Sequence, residues 1–228
     1  TGYDTGFRRS GIVYCATRPT ELDWLATMER DGRDFGMNLR RLDRRQIAGL
    51  FPGAQVTAEA ALLSDDDGRA EPALATSALA LAARAHGAAV MTGCAARAVE
   101  TSAGRVSAVI TERGRIATDA VILAGGAWSR LFAGNLGVDL PQLRIRGSVL
   151  RTGPVPGGPT LAIGNGQFGL RPRLDGGYTI APRGRSPVQI TPDAFRLLRR
   201  FLPGMRGNLR EIALTLDHSM WARLRTPR

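Results

Sequence analysis

The chain has 228 residues, 31 basic side chains against 20 acidic ones, and a formal net charge of +11. Every basic residue is arginine, which excludes a Schiff-base lysine, a phosphate-loop lysine and a lysine general base within these residues. With 43% apolar and 22% charged residues the composition is globular, and the length suits one large domain or two small ones.

Residues 11–16, Gly-Ile-Val-Tyr-Cys-Ala, make the first β-like run. A helix is predicted next, with Thr20 as N-cap, Asp23 three residues on, and Leu22, Leu25 and Met28 as its apolar stripe. Gly32 or Gly36 ends it. Asp43 is placed to cap a second short helix that runs through Leu50 and stops at Pro52. A brief strand at 61–63 precedes the turn residues Asp65-Asp-Asp-Gly68.

Pro72 at a first helical position and Gly87 just past the end enclose a helix over 73–86. Leu74, Leu79 and Leu81 are spread around it among alanines, so burial on more than one side is expected. A short strand at 88–91 follows. Runs at 95–100, 105–111 and 115–118, joined by turns around Gly104 and Gly114, read as an antiparallel meander. Residues 120–124 then form a continuous apolar run of the kind buried in a parallel sheet. Gly125-Gly126 turns it into a helix over 127–136, which is where α/β sheets present backbone N–H groups to a ligand.

Beyond Pro141 the pattern is β-rich, with runs at 143–152, 160–163, 167–171 and 178–182 between Gly- and Pro-rich turns. A helix over 192–202 is capped by Thr191 and ended by Pro203-Gly204, and a last strand spans 208–217.

The high charge has no focus. Arg40, Arg41, Arg44 and Arg45 make one local group, and Arg196, Arg199 and Arg200 form the wet face of an amphipathic helix. No aromatic residues interleave to stack on bases, so a solvated surface is expected and no nucleic-acid partner. Cys15 and Cys94 sit in apolar runs and read as reduced, buried thiols of a cytoplasmic protein. With His86 and His218 they are too scattered for a zinc cluster, so no metal is expected. No apolar run approaches the roughly 20 residues of a membrane span.

The order of several motifs is similar to a known family. Asp67-Gly-Arg-Ala-Glu-Pro72, a helix, Gly87, the meander with Gly104-Arg-Val106 and Thr111-Glu-Arg-Gly114, then Asp119-Ala-Val-Ile-Leu-Ala-Gly-Gly-Ala-Trp-Ser129 resemble D-amino-acid oxidase-like FAD-dependent oxidoreductases. That family includes glycine and sarcosine oxidases and D-amino-acid dehydrogenases. Arg171-Pro-Arg-Leu-Asp-Gly-Gly-Tyr-Thr-Ile180 resembles its late hairpin, and Trp221-Ala-Arg-Leu-Arg225 its Trp-Ala-Gly-Leu-Arg-Pro strand, with Arg223 in place of Gly. Family members begin with a βαβ unit whose GxGxxG holds the FAD pyrophosphate, and end with a second flavin-contacting segment. The resemblance therefore implies a central fragment without that N-terminal unit or that C-terminal segment, inactive by itself and with an incomplete FAD site.

The resemblance also implies a fold and a chemistry. The expected class is α/β to α+β. It combines a partial Rossmann-like FAD layer carrying the meander with a substrate domain of mainly antiparallel sheet and flanking helices. Residues 63–142 with 221–228 fall to the FAD layer, and 1–62 with 143–220 to the substrate domain. The implied reaction oxidises the C–N bond of a D-amino acid, glycine or sarcosine by hydride transfer to flavin. The alternatives are a flavoprotein dehydrogenase of a hydroxy acid or glycerol phosphate, or a non-catalytic basic binding domain. By position in the motifs, Ala96, Ala124, Gly125 and Trp128 would meet the cofactor. Phe168 would line the substrate, and Arg225 would clamp its carboxylate through the planar guanidinium fork. Arg171 and Arg173 are weaker substrate candidates, expected at exposed strand ends, and His218 is expected to be structural. No catalytic acid or base is assigned, because hydride transfer from a neutral amine needs none.

Overall fold

The computed structural model describes residues 2–52, 57–143, 145, 147–183, 186–205 and 212–215. In chain order the elements are β1 (Arg8–Arg9), β2 (Ile12–Ala16), α1 (Pro19–Asp34), β3 (Leu39–Asp43), α2 (Arg44–Leu50), β4 (Ala60–Ser64), β5 (Gly68–Arg69) and α3 (Pro72–Ala85). They continue as β6 (Ala96–Ser102), β7 (Arg105–Thr111), β8 (Gly114–Ala117), a 3-10 turn at Gly126–Trp128, α4 (Ser129–Gly134), β9 (Leu150–Arg151), β10 (Ala162–Gly164), β11 (Phe168–Pro172) and β12 (Tyr178–Pro182). Last come β13 (Ser186–Gln189), α5 (Pro192–Met205) and β14 (Ile212–Thr215). The class is the mixed α/β to α+β one expected. By contacts the chain divides into residues 1–89 with 147–184, and 90–146 with 185–228. These bounds do not follow the expected cut at 62/63, which would split β4 across its pairing with β2 and β3.

The first unit is built on a seven-stranded sheet in the order β3-β4-β2-β10-β11-β12-β9. All its pairings are antiparallel except β2 with β10. Alternation along β2 and β4 sorts their side chains onto two faces, as the period of two in a strand requires. Val13, Cys15, Ala61 and Leu63 pack with Leu42, Phe51 and Ile47 of α2. Ala16 and Leu62, with Tyr14 and Ala60, meet Leu22, Leu25 and Met28 of α1. Leu25, Ile47 and Leu62 are fully buried, each contributing about 1.5–3 kcal/mol of apolar burial. The sheet is therefore covered by a helix on either side at this end.

The helix starts show how local chemistry sets the bounds. Asp43 accepts from the Gln46 N–H at 2.8 Å while the Gln46 side chain accepts from the Asp43 N–H at 2.9 Å, the reciprocal cap expected. α1 begins one residue ahead of the expected Thr20 cap. Pro19 takes a first-turn position, Arg18 is the extended cap residue, and Glu21 turns back onto it. β3 was not expected from its sequence; it is an edge strand in which only Leu42 is buried, so its Arg-rich face hides the strand period.

In the second unit β6, β7 and β8 form the expected antiparallel meander. Its turns place Ala103 at φ 51°, Gly104 at φ 76° and Gly114 at φ 113°, left-handed positions that favour glycine. β13 and β14 pair in parallel, and Thr191 Oγ1 accepts from the Ala194 N–H at the start of α5. α5 runs on through Pro203 to Met205 instead of stopping at Pro203. Arg130 ties α4 to α5: it reaches Asp139 at 2.9 Å, Asp193 at 3.2 Å and the Leu140 carbonyl. These partners hold the guanidinium charged despite its partial burial.

Two expectations about burial are corrected. Residues 120–124 are not a strand: no partner strand lies beside them among the described residues, and Ile122 is 93% exposed. α3 has the expected length but buries only Ala78, leaving Leu74, Leu79 and Leu81 exposed. Apolar sequence drives burial only where an opposing surface exists. The expected strand at 88–91 is absent, and the run at 143–152 is a strand only at β9 among its described residues.

Candidate functional site

The expected site residues fall in several places. Ala96 opens β6 and pairs with Thr111, with its side chain exposed. Ala124 and Gly125 lead into the 3-10 turn, where the Trp128 N–H donates to the Gly125 carbonyl at 3.1 Å. Gly126 adopts φ 53°, and the Gln142 side-chain amide donates to its carbonyl at 3.1 Å. Trp128 is exposed, and Ser129 is buried beneath the turn. Ala124, Gly125 and Trp128 thus share one turn, while Ala96 stands on the meander. Arg225, like Trp221 and His218, lies outside the described residues.

The turn that Ala124, Gly125 and Trp128 share is open enough to test against a flavin, whereas Ala96 stands apart on the meander. The segment 120–125 offers backbone outside any ladder, and a side chain at Gly126 would meet nothing within 4 Å. An apolar, open glycine turn of this kind suits a flat ring system. A phosphate cradle is not part of it. The letters GxGxxG do occur, at Gly164-Asn-Gly-Gln-Phe-Gly169. Here they join β10 to β11 in an antiparallel hairpin, without the helix N-terminus that a pyrophosphate requires.

That hairpin instead frames a cleft of about 650 Å³ in the first unit. Phe168, the expected substrate-lining residue, lies on its wall with Cys15, Phe51, Ile163, Asn165 and the loop 155–160. The loop is fixed by Tyr178, whose hydroxyl donates to the Pro159 carbonyl at 3.0 Å and crowds Gly158 so closely that only glycine fits. At the other end, Asn165 Oδ1 accepts from the Gln167 and Phe168 N–H groups, each at 2.8 Å, and shapes the hairpin turn. Gly166 in that turn packs on the Arg18–Glu21 pair, leaving no room for a Cβ.

Glu21 is the hub beneath the turn. Its carboxylate accepts from the Thr17 N–H at 2.7 Å, the Thr17 hydroxyl at 3.0 Å, the Arg18 N–H at 3.2 Å and the Arg18 Nε at 2.7 Å. Burial alone would raise its pKa, but these donors outweigh burial and hold it below the ordinary carboxylate range. Cys15 has no such donors, and burial pushes its thiol up to about 11. Both described cysteines are free, with Cys15 buried and Cys94 only half-buried.

The other arginine candidates are occupied. Arg171 donates to the Ala70 carbonyl at 2.7 Å and pairs with Glu71 at 3.3 Å. Arg173 is 8% exposed and paired with Asp175, so it is no exposed strand end. Asp175 also accepts from the Gly177 N–H, which makes the pair part of the β11–β12 turn. His86 caps the C-terminus of α3 ahead of Gly87 at φ 89°, as expected. Sequence reasoning missed Asn165 and Glu21; the Gly-Asn-Gly turn and the Thr-x-x-x-Glu spacing were the available signals. Among the described residues no group of three His, Cys, Asp or Glu is arranged to hold a metal, and no helix is long and apolar enough to cross a membrane.

Comparison with known proteins agrees with this architecture. The solved L-amino acid deaminase of Proteus myxofaciens, in complex with anthranilate, superposes with a TM-score of 0.89 at 32% identity, over 98% of this chain and 51% of that one. The 4-methylaminobutanoate oxidase (formaldehyde-forming) of Paenarthrobacter nicotinovorans is 32% identical over 142 residues, 62% of this chain and 17% of that protein. Mitochondrial sarcosine dehydrogenase of Mus musculus is 27% identical over 163 residues, 69% and 18% respectively. The chain thus spans about half the length of the first of these and under a fifth of the other two. The family described as FAD dependent oxidoreductase, DAO, matches residues 1–227, and the chain belongs to that family.

Proposed function

We propose that the chain is the substrate-handling part, with one cofactor wall, of an FAD-dependent enzyme that oxidises the C–N bond of a small amino acid or secondary amine. The observation that carries this reading is the shared chemistry of the three relatives above. Each is named for an amino acid or an N-methylated amino acid. The carbon beside the nitrogen gives up a hydride, the nitrogen lone pair closes a C=N bond, and water then hydrolyses the imine to a carbonyl compound and an amine. FAD supplies the hydride acceptor for that step.

The chain's own residues would supply binding and orientation. Ala124, Gly125 and Trp128 offer the open glycine turn and aromatic face against which the cofactor would rest. Ala96 offers the first backbone position of the meander. Phe168 gives the substrate an apolar contact. Arg225 would clamp the carboxylate through two parallel hydrogen bonds, fixing which hydrogen faces the acceptor.

The test is turnover by the protein that carries this chain, loaded with FAD and given an artificial electron acceptor. The panel holds D- and L-amino acids, glycine, sarcosine and 4-methylaminobutanoate, with 2-hydroxy acids and glycerol 3-phosphate as the competing class. Oxidation of amines with release of a carbonyl product is expected. Turnover confined to the hydroxyl compounds would overturn the reading.

A further inference from the structure

Two walls of the cleft in the first unit come from segments far apart in the chain. Thr17 lines it from the link between β2 and α1, and Asn165, Gln167 and Phe168 line it from the turn between β10 and β11. β2 and β10 are the parallel neighbours of the large sheet, so both segments leave it in the same direction. Their register ends where Tyr14 faces Gly164. Past that pair the side chain of Glu21 lies between them, bonded to Thr17 and in contact with Gly166.

The two carboxylate oxygens divide the work. Oε2 accepts from the Thr17 N–H, the Thr17 hydroxyl and the Arg18 N–H. Oε1 accepts from Arg18 Nε and faces Gly166, where a methyl group would overlap it. A helix cap needs only the Arg18 N–H bond, so the Thr17 hydroxyl and the Gly166 contact go beyond capping. The turn above is one piece, since Asn165 Oδ1 accepts from the Gln167 and Phe168 N–H groups and the Asn165 N–H donates to the Phe168 carbonyl at 3.0 Å. A change in how far Gly166 stands from Glu21 is therefore carried to Gln167 and Phe168.

What these walls enclose is apolar. Cys15, Phe51, Val155 and Ile163 contribute to the lining, and among the described residues no Arg, Asp, Glu or His does. Such a lining suits the side chain of an amino-acid substrate and not its carboxylate.

We infer that Glu21 is a positioning residue for the substrate: its carboxylate spaces Thr17 from the Gly166 turn, and that spacing sets which side-chain sizes the cleft accepts. The inference rests on the proposed amine oxidation, in which Phe168 meets the substrate.

The test measures binding of acetate and of phenylacetate to the FAD-loaded protein by isothermal titration calorimetry. The two probes share a carboxylate and differ by a phenyl ring. Glu21→Asp shortens the spacer by one methylene, and Gly166→Ala lengthens it by a methyl. The ratio of the two dissociation constants is expected to move roughly tenfold and in opposite directions in these variants, the effect of a methylene-sized change in an apolar pocket. Glu21→Gln keeps the length and is expected to keep the parent ratio, which separates spacing from charge. Should Gly166→Ala fold poorly, the Asp and Gln variants decide alone. Lost packing by itself would weaken both probes alike. A ratio unmoved in Glu21→Asp, a shift of the same sign in Glu21→Asp and Gly166→Ala, or an equal shift in Glu21→Gln would overturn the inference. Failure of both probes to bind the parent would overturn the amino-acid substrate reading beneath it as well.

Discussion

Gly166 rests on the carboxylate of Glu21 so closely that the hairpin between β10 and β11 tolerates no side chain there. Moving the carboxylate aside would strain the four hydrogen bonds it accepts from Thr17 and Arg18. Gly166→Ala is therefore expected to destabilise the protein by about 1–3 kcal/mol, the usual cost of overpacking. Chemical unfolding measures it. An unchanged midpoint would mean that the turn and the start of α1 move apart freely.

The same carboxylate gives the protein an acid limb. Its folded-state pKa lies below its unfolded value, so its contribution is fully present above the ordinary carboxylate range and is lost as pH falls through the folded value. Glu21→Gln should be less stable than the parent at neutral pH, and the gap should close on acidification. Urea unfolding of both proteins across a pH series checks the sign. A gap that is constant or widens toward acid would contradict it.

The two cysteines should differ in reactivity. Cys15 is buried with its thiol pushed up to about 11, which keeps thiolate scarce, whereas Cys94 is half-buried on the approach to the meander. Brief alkylation of the native protein with iodoacetamide, followed by peptide mass spectrometry, should label Cys94 well ahead of Cys15. Equal labelling only after denaturant is the matching control.

Arg225 is expected to act on the substrate's carboxylate. Arg225→Ala should raise KM for an amino-acid substrate by roughly tenfold to a hundredfold, the worth of hydrogen bonds to a charged group. For an amine without a carboxylate KM should change little. A merely structural arginine would lower activity toward both alike, so the comparison between the two substrates decides its role.

Much of this fold was legible because local chemistry and tertiary setting agree. The Asp43–Gln46 cap, the Gly104 and Gly114 turns and the Tyr178–Pro182 strand each follow from residues a few positions apart. Residues 120–124 show the opposite case. Five apolar residues satisfy a strand pattern, but a strand is a property of a pair, and the described residues supply no partner. β3 fails the other way, since pairing with β4 makes it a strand although two of its five residues are adjacent arginines. For the candidate site, motif order pointed to Phe168 and to the Ala124–Trp128 turn. The Glu21 hub could not be read in advance, because it depends on which donors the fold brings around that carboxylate.

The one parallel joint of the large sheet sets an order on how the protein is made. Ile12 pairs with Ala162 and Tyr14 with Gly164, so the strand that completes β2 is synthesised long after it. If β3, β4 and β2 pair before residues 90–146 are made, the side of β2 that β10 later covers stays open as an apolar edge until then. Such an edge is a template for other chains until β10 arrives. Yield on expression should therefore depend on ribosome speed and on chaperone supply over that stretch more than on any single contact in the finished molecule.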